Sequence, residues 1–418
     1  MTAKTVVIAG GGAAGFFCAV NLAARQPGWK VLLLEKSGKL LSKVRISGGG
    51  RCNVTHNCFE AAELVKRYPR GGKFLLKSFR HFGPADTVAW FEKRGVALKA
   101  EADGRIFPVS DDSSSITSCL LEEARKYGVE IRLGEELQYL QKEGDRWILQ
   151  TGKESFRADA VCICCGGFPK PGQYEWLGKT GHHIELPVPS LFTFNMPGHA
   201  ITKLMGVVVD PAQVKLEGSR LTETGALLIT HWGMSGPVVL RLSAWGACEL
   251  AAAGWHFSVQ VNWIPAFHEN SAREFMQAFR QEKGNQKLAN RNPFQLPQRF
   301  WEYLLQEADA DGESRWADLP AKNQNRLAKL LTAQVFDIQG KTTFKEEFVT
   351  AGGIKLSEVN PDTMESRLHT GLYFAGEILD VDGITGGFNF QHAWTSGWLA
   401  ARAMAGQQTA LPGGQSGK

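Results

Sequence analysis

Hydrophobic and polar positions at the start of the chain fall into a strand, turn, helix, strand order. "TVVIA" (5–9) is a short β-rich run, "GGGAAG" (10–15) a glycine turn, and "FFCAVNLAAR" (16–25) carries helical spacing. After Pro27 and Gly28 comes "KVLLLE" (30–35), apolar at every interior position, as a parallel strand buried on both faces must be. The pattern predicts a βαβ unit. Residues 61–128 read as largely helical, broken at "FGPAD" (82–86) and by a turn at "EADGRIFPVSDD" (101–112). "DSSSITSCLLEEARKYGVEI" reads as a capped amphipathic helix feeding a strand, and "RWILQ" and "RADAVCICCGG" add strands.

The pattern changes beyond "LPVPSL" (186–191). "VVVDPAQVKL", "ALLITH" and "HFSVQVNW" are strand-like, while 268–335 is helical and polar, with Pro293 and Pro297 as punctuation. This places an insert at about 191–342. Its β part covers 191–265 and 336–342, its helical part 266–335, and 1–190 with 343–418 form the surrounding α/β domain. From "GLYFAGEILDVDGITGGFNFQHAWTSGWLAARAMAG" (371–406) the expectation is a strand, a glycine loop and a final helix with Asn389 as N-cap. The tail "LPGGQSGK" is expected to be mobile.

Four glycine clusters carry the candidate chemistry. Gly10, Gly12 and Gly15 satisfy G-x-G-x-x-G, and Glu35 ends the second strand twenty residues later. In this pattern the first glycine permits the turn, the second admits a pyrophosphate, and the third lets helix meet strand. The free N–H groups and dipole of the helix favour a phosphate by roughly 0.3–2 kcal/mol, and Glu35 suits a ribose hydroxyl. "KVRISGGGRCNVTH" (43–56) holds three consecutive glycines, a costly choice unless the backbone bends unusually or lies against another molecule. "AVCICCGGFP" and "GITGGFNFQ" add further close-approach positions, the latter opening a helix N-terminus able to face the anionic end of a reduced flavin.

Composition narrows the classes. The chain has 418 residues, 43% hydrophobic and 21% charged, as a globular protein of two or three domains requires. Its net charge of +5 forms no basic block, which suits an anionic cofactor and disfavours nucleic acid as main partner. Eight irregularly spaced cysteines read as reduced thiols, which implies the cytoplasm. The apolar opening is interrupted by Gly10–Gly12 and Gly15, against a signal peptide or a membrane span.

"GGGAAGFFCAV", "KVRISGGGRCNVTH", "GRIFPVSD", "THWGMSGP", "FVTAGGI" and the 371–397 run resemble, in order and over nearly the whole chain, the signature blocks of the BaiN/YhiN-type family of bacterial FAD-dependent oxidoreductases. The resemblance implies a Rossmann-like FAD-binding domain built from both chain ends, with a β-barrel-like insert and a small helical subdomain. It implies that Gly10, Gly12, Ala13, Ala14 and Gly15 cradle the pyrophosphate, and that Glu35 and Lys36 hold the ribose. Lys43, Ser47, Gly48, Gly49, Gly50, Arg51, Cys52 and Asn53 would line the flavin, with Cys165 and Gly166 beside them. Gly376, Glu377, Asp380, Gly386, Gly387, Phe388 and Asn389 would complete the site. "CICCGG" departs from the family's usual alanine or threonine before the glycine pair, a change that packing tolerates. The implied chemistry is hydride transfer to an activated double bond of a small apolar, steroid-like molecule, with NADH or NADPH as a transient reductant.

His231, Ser235 and Arg51 are the candidate catalytic groups, the first two in a loop that is otherwise an ordinary turn. A redox pair of Cys52 and Cys58 lacks C-x-x-C spacing. Zinc on Cys162, Cys164 and Cys165 is opposed by strand alternation, so no metal is expected. "KRYPRGGKFLLKSFRHF" (66–82) and "QRFWEYL" (298–304) interleave cations and aromatics as RNA binders do, but helical periodicity favours core aromatics and a solvated basic face. The alternatives are a flavoenzyme that modifies tRNA and a non-catalytic FAD-carrying redox sensor or partner-binding protein. His182 and His183 read as surface residues.

Overall fold

The structure is a computed structural model and describes residues 3–342 and 349–406; the expected mobile tail lies outside them. The chain divides into two compact units, Met1–Pro189 with Lys345–Lys418, and Ser190–Phe344.

The first unit is organised by a five-stranded sheet in the order Leu372–Phe374, Ala160–Ile163, Thr5–Ala9 (β1), Lys30–Glu35 (β2), Glu130–Leu133. All four pairings are parallel. Helix α1, Ala13–Arg25, connects β1 to β2, and ten of its thirteen residues are buried. The chain leaves β1 toward β2 on one side and returns to Ala160–Ile163 on the other, so a topological switch point opens at the carboxyl end of β1. Ligands enter open α/β sheets at such a crevice. The C-terminal helix Phe388–Met404 packs on α1, where Gly397 comes so close that a Cβ would lie 2.6 Å from the Ala14 carbonyl.

Residues 101–112 correct the sequence reading. They contain Arg105–Pro108, which pairs with Leu98–Ala100 and with Thr55–His56 in a three-stranded antiparallel sheet. A four-residue strand between turn residues is too short to show its period.

The second unit holds a seven-stranded antiparallel sheet. Its two terminal strands, Gln334–Gln339 and Lys341–Thr342, are separated only by Gly340. One residue spans at most about 3.6 Å, whereas an open sheet of this size would set its edges nearly 30 Å apart, roughly six spacings of 4.8 Å. The sheet therefore curls into a barrel, filled by Val209, Val214, Leu227, Ile229, Val259, Val261 and Phe336. Helices Glu269–Lys283, Gln298–Glu307 and Ala321–Ala333 follow, with Phe300, Trp301 and Trp316 buried. The aromatics of "QRFWEYL" thus belong to the core. Among the described residues, no helix is long and apolar enough to cross a membrane.

Candidate functional site

β1 ends at Ala9, and the three glycines after it meet different demands. Gly10 has φ +118°, and a Cβ there would lie 2.2 Å from the Cys164 carbonyl. At Gly15 a Cβ would sit 1.9 Å from the Gly10 carbonyl, so both positions are dictated by the fold itself. Gly12 differs. Its backbone is extended (φ −93°, ψ −166°), open to any residue, and a Cβ would meet nothing within 4 Å. The fold therefore does not itself require glycine at position 12, and the space beside it is open. The first intrahelical bond runs from Phe16 N–H to the Gly12 carbonyl at 3.0 Å, which leaves the amides of Ala13, Ala14 and Gly15 outside the helical ladder. Glu35 Oε2 accepts the Gly11 amide at 2.8 Å, and Oε1 accepts both donors of Ser37 at 2.8 Å. These bonds fix the carboxylate beside the loop; Oε1 is filled by its two donors, and Oε2 retains a lone pair for a hydroxyl donor. Lys36 is exposed, its ammonium 5.6 Å from the Phe168 ring centre.

The triglycine follows the helix Ser42–Ile46. Gly48, Gly49, Gly50 and Cys52 all occupy the left-handed region, at φ +59°, +70°, +86° and +63°. A Cβ on Gly48 would press Phe107 at 2.9 Å, while Gly49 and Gly50 face open space. Cys52 is fully buried, and burial pushes its thiol up to about 12, so it holds its proton at neutral pH and is no thiolate nucleophile. Ser47 donates its hydroxyl to the Val44 carbonyl at 3.0 Å. The Lys43 ammonium meets Glu377 Oε2 at 2.6 Å, and Glu377 Oε1 accepts the Thr350 amide at 2.9 Å. Arg51, the third candidate catalytic group, is ion-paired. Its guanidinium lies 2.6 Å from Glu101 and 3.5 Å from Asp111, over the Phe107 ring at 4.0 Å, and the hydrogen bond it donates to Glu101 raises its pKa. Opposite charges draw the side chain toward the hairpin.

Asn53 joins the two glycine segments. In the orientation that satisfies both ends of its carboxamide, the nitrogen donates to the Thr55 carbonyl at 3.0 Å and the oxygen accepts the Gly387 amide at 2.9 Å. Trp394 Nε1 donates to the Val54 carbonyl at 2.9 Å, and Thr55 Oγ1 donates to Gln391 at 2.6 Å. Gly387, at φ +88°, is the N-cap of the last helix, so the expectation of an Asn389 cap is wrong. Instead Asn389 sits in the first turn and binds both the amide and the carbonyl of Gly383, at 2.8 and 2.9 Å. The left-handed glycine starts the helix two residues early, and the carboxamide pins the loop. Phe388 is buried and Gly386 has φ +132°.

Gly376 donates its amide to Ser396 Oγ at 2.9 Å, and Asp380 Oδ1 accepts the Gly352 amide at 3.0 Å, its carboxyl raised by burial. Cys165 lies 3.4 Å from the Ala9 carbonyl, its thiol pushed up to about 12 by burial, and the left-handed Gly166 beside it faces open space. Cys162 and Cys164 sit 3.5 Å apart, and no metal-binding group of side chains occurs among the described residues. Thr350 Oγ1 and His392 Nδ1 are buried without partners. Neither residue stands out in sequence, since only folding buries it. The pieces fit a dinucleotide-linked flavin: two helix N-termini with free amides, glycines open where a ligand backbone would lie, and an acid at the end of β2.

His231 and Ser235 belong to the second unit. Exposed His231 sits in the turn joining Thr222–Thr230 to Gly233–Ser235, edge-on to Trp232 at 4.3 Å, and Ser235 pairs with Leu228. His182 is a further correction: it is buried, 2.7 Å from Thr180 Oγ1 and 2.8 Å from Ser366 Oγ. Its partner 184 residues away gives no local sign. Burial lowers both His182 and His392 to about 4. Unfolding lets each take up a proton below its ordinary value near 6.5, so their stabilisation is present above that value and is lost as pH falls toward 4. Urea midpoints are expected to fall through this window, each histidine adding up to about 1.4 kcal/mol per pH unit. The double variant His182→Gln/His392→Gln should flatten the profile; an unchanged slope would contradict the assignment.

The geometry is that of an FAD-dependent oxidoreductase. The chain belongs to the HI0933-like family: the family description "HI0933-like protein Rossmann domain" matches residues 4–403. It is 30% identical over 409 residues to the 3-dehydro-bile acid delta(4,6)-reductase of Clostridium scindens, covering 95% of this chain and 98% of that protein. It is 31% identical over 408 residues to the ribosomal RNA dihydrouridine synthase of Escherichia coli, covering 95% and 96%. Among solved structures, the open conformation of a flavocytochrome c3 fumarate reductase is similar in fold, with TM-score 0.50 and 15% identity, over 97% of this chain and 78% of that one.

Proposed function

We propose that this protein saturates a carbon–carbon double bond conjugated to a ring carbonyl. One observation carries the reading: two relatives of nearly equal identity, each matched over almost its full length, are named for that one chemistry on different molecules. A 4,6-diene beside a 3-ketone and the 5,6 bond of uracil beside its 4-carbonyl are both electron-poor at the β carbon. When bound and reduced, FAD supplies a hydride. The product then needs one proton at the α carbon, so two electrons and two protons are consumed in all. The Ala13–Gly15 amides hold the pyrophosphate, Glu35 the ribose, and the Gly49–Gly50 backbone leaves room for the ring system. NADH or NADPH, visiting transiently, is the proposed reductant, and a small enone the proposed acceptor, with uridine in RNA as the second reading.

Anaerobic stopped-flow mixing is expected to bleach the flavin with one of the two nicotinamides, and a conjugated enone or a uridine-containing RNA to restore its colour. If neither acceptor reoxidises the flavin faster than buffer, the reading fails. His231 is proposed as proton donor, with Ser235 as an orienting group. His231→Gln should slow reoxidation by about a hundredfold or more at unchanged FAD content. An unaltered rate moves the proton donor elsewhere.

A further inference from the structure

The stretch 66–82 contains cations that neither the fold nor the flavin cradle uses. Of its aromatics Tyr68, Phe79 and Phe82 are buried, which removes them as stacking platforms for bases, and Phe74 is half-buried. The carboxylates nearby serve other groups: Glu63 meets Lys66, Asp382 meets Arg70, and Asp362 meets His81. Arg67, Lys73, Lys77 and Arg80 are exposed, and among the described residues no ion pair engages them. On the helix Gly72–Ser78 and the turn continuing it, Lys73, Lys77 and Arg80 are spaced i, i+4, i+7 and share one face. Leu75 and Phe79 turn inward, while Phe74 and Leu76 are half-buried.

The ridge also adjoins the candidate flavin site. The Arg67 carbonyl accepts the Ile384 amide at 3.0 Å, and Arg70 forms a β-bridge with Asp382. A Cβ on Gly71 would lie 2.6 Å from Val381. His56 stacks on Phe388 at 4.9 Å, and burial, with a smaller contribution from the charge of Arg67, lowers its pKa. Arg67 at the edge of the last glycine loop, followed by Lys73, Lys77 and Arg80 along the helix that starts beside Val381, matches a chain of phosphates, which a neutral steroid lacks.

We infer that Arg67, Lys73, Lys77 and Arg80 hold the phosphate backbone of an RNA substrate while one of its uracils is presented to the flavin. This rests on the double-bond reading above and selects its acceptor. The test uses full-length holoprotein and unmodified ribosomal RNA transcribed in vitro, with binding measured across salt concentrations. Each phosphate contact contributes about 0.7–0.9 to the slope of log affinity against log salt. Lys73→Glu/Lys77→Glu/Arg80→Glu should therefore reduce the slope by about two to three and weaken binding at least about tenfold near 0.1 M salt. FAD content and reoxidation by a small enone should not change. Equal affinity and slope for variant and parent, no RNA binding by the parent, or binding to anionic lipid vesicles in preference to RNA would each overturn the ridge assignment. Reoxidation by the enone is scored separately, so the double-bond reading can survive that loss, or fall while RNA binding stands.

Discussion

Gly12→Val is expected to give folded protein without yellow cofactor. The backbone at Gly12 is extended and a Cβ there touches nothing within 4 Å, so the protein itself has no objection to a side chain. On the proposed function, a ligand pyrophosphate would. Forcing extra carbon atoms into a close-packed contact costs about 1–3 kcal/mol, which is roughly a five- to 150-fold loss of FAD affinity. The flanking glycines serve as controls. Gly10→Val and Gly15→Val drive a Cβ into carbonyl oxygens at 2.2 and 1.9 Å, and should lower stability directly. The measurement is flavin absorbance per protein, with thermal unfolding of the apoproteins beside it. Stoichiometric FAD in Gly12→Val, or an apoprotein as unstable as Gly10→Val, would contradict the cradle.

The second large effect concerns the loop at the other end of the chain. Asp382 has a fully buried side chain, and Arg70, 17% exposed, meets it with two nitrogens in a fork. Arg70→Ala takes that charge away and leaves the carboxylate buried, a change that costs about 3–5 kcal/mol. Denaturation by urea should show this as a shifted midpoint. Arg70→Ala/Asp382→Asn should recover part of the loss, because the uncompensated charge is removed with its partner. Because Asp382 borders the Gly383–Gly387 turn, FAD retention is expected to weaken in the single variant. A single variant within about 0.5 kcal/mol of the parent, the range of ordinary surface changes, would refute the role.

Fold and site were legible in sequence to different depths. The β1–α1–β2 unit could be read because its signals are local: apolar runs, a glycine triplet and an acid, all within 31 residues (5–35). The triglycine announced itself as an unusual conformational cost, and the basic stretch 66–82 as a core of aromatics under a solvated face. Other features misled. Asn389 looked like a helix cap, but a left-handed Gly387 starts the helix earlier and the carboxamide serves Gly383. The carboxylates that hold Arg51, Glu101 and Asp111, lie too far along the chain to be read beside it. His182 looked exposed, yet it is buried against Ser366.

The chain's local chemistry alone determined where backbone must bend or admit a neighbour, because glycine, alternation and helical spacing act over a few residues. Tertiary structure alone decided which of those places meet. Asn53 reaches Gly387, Lys43 reaches Glu377 and Arg70 reaches Asp382 only once the C-terminal helix has packed on α1. Contacts across some three hundred residues are set by the packing of whole elements, and such packing leaves no periodic trace in the order of side chains.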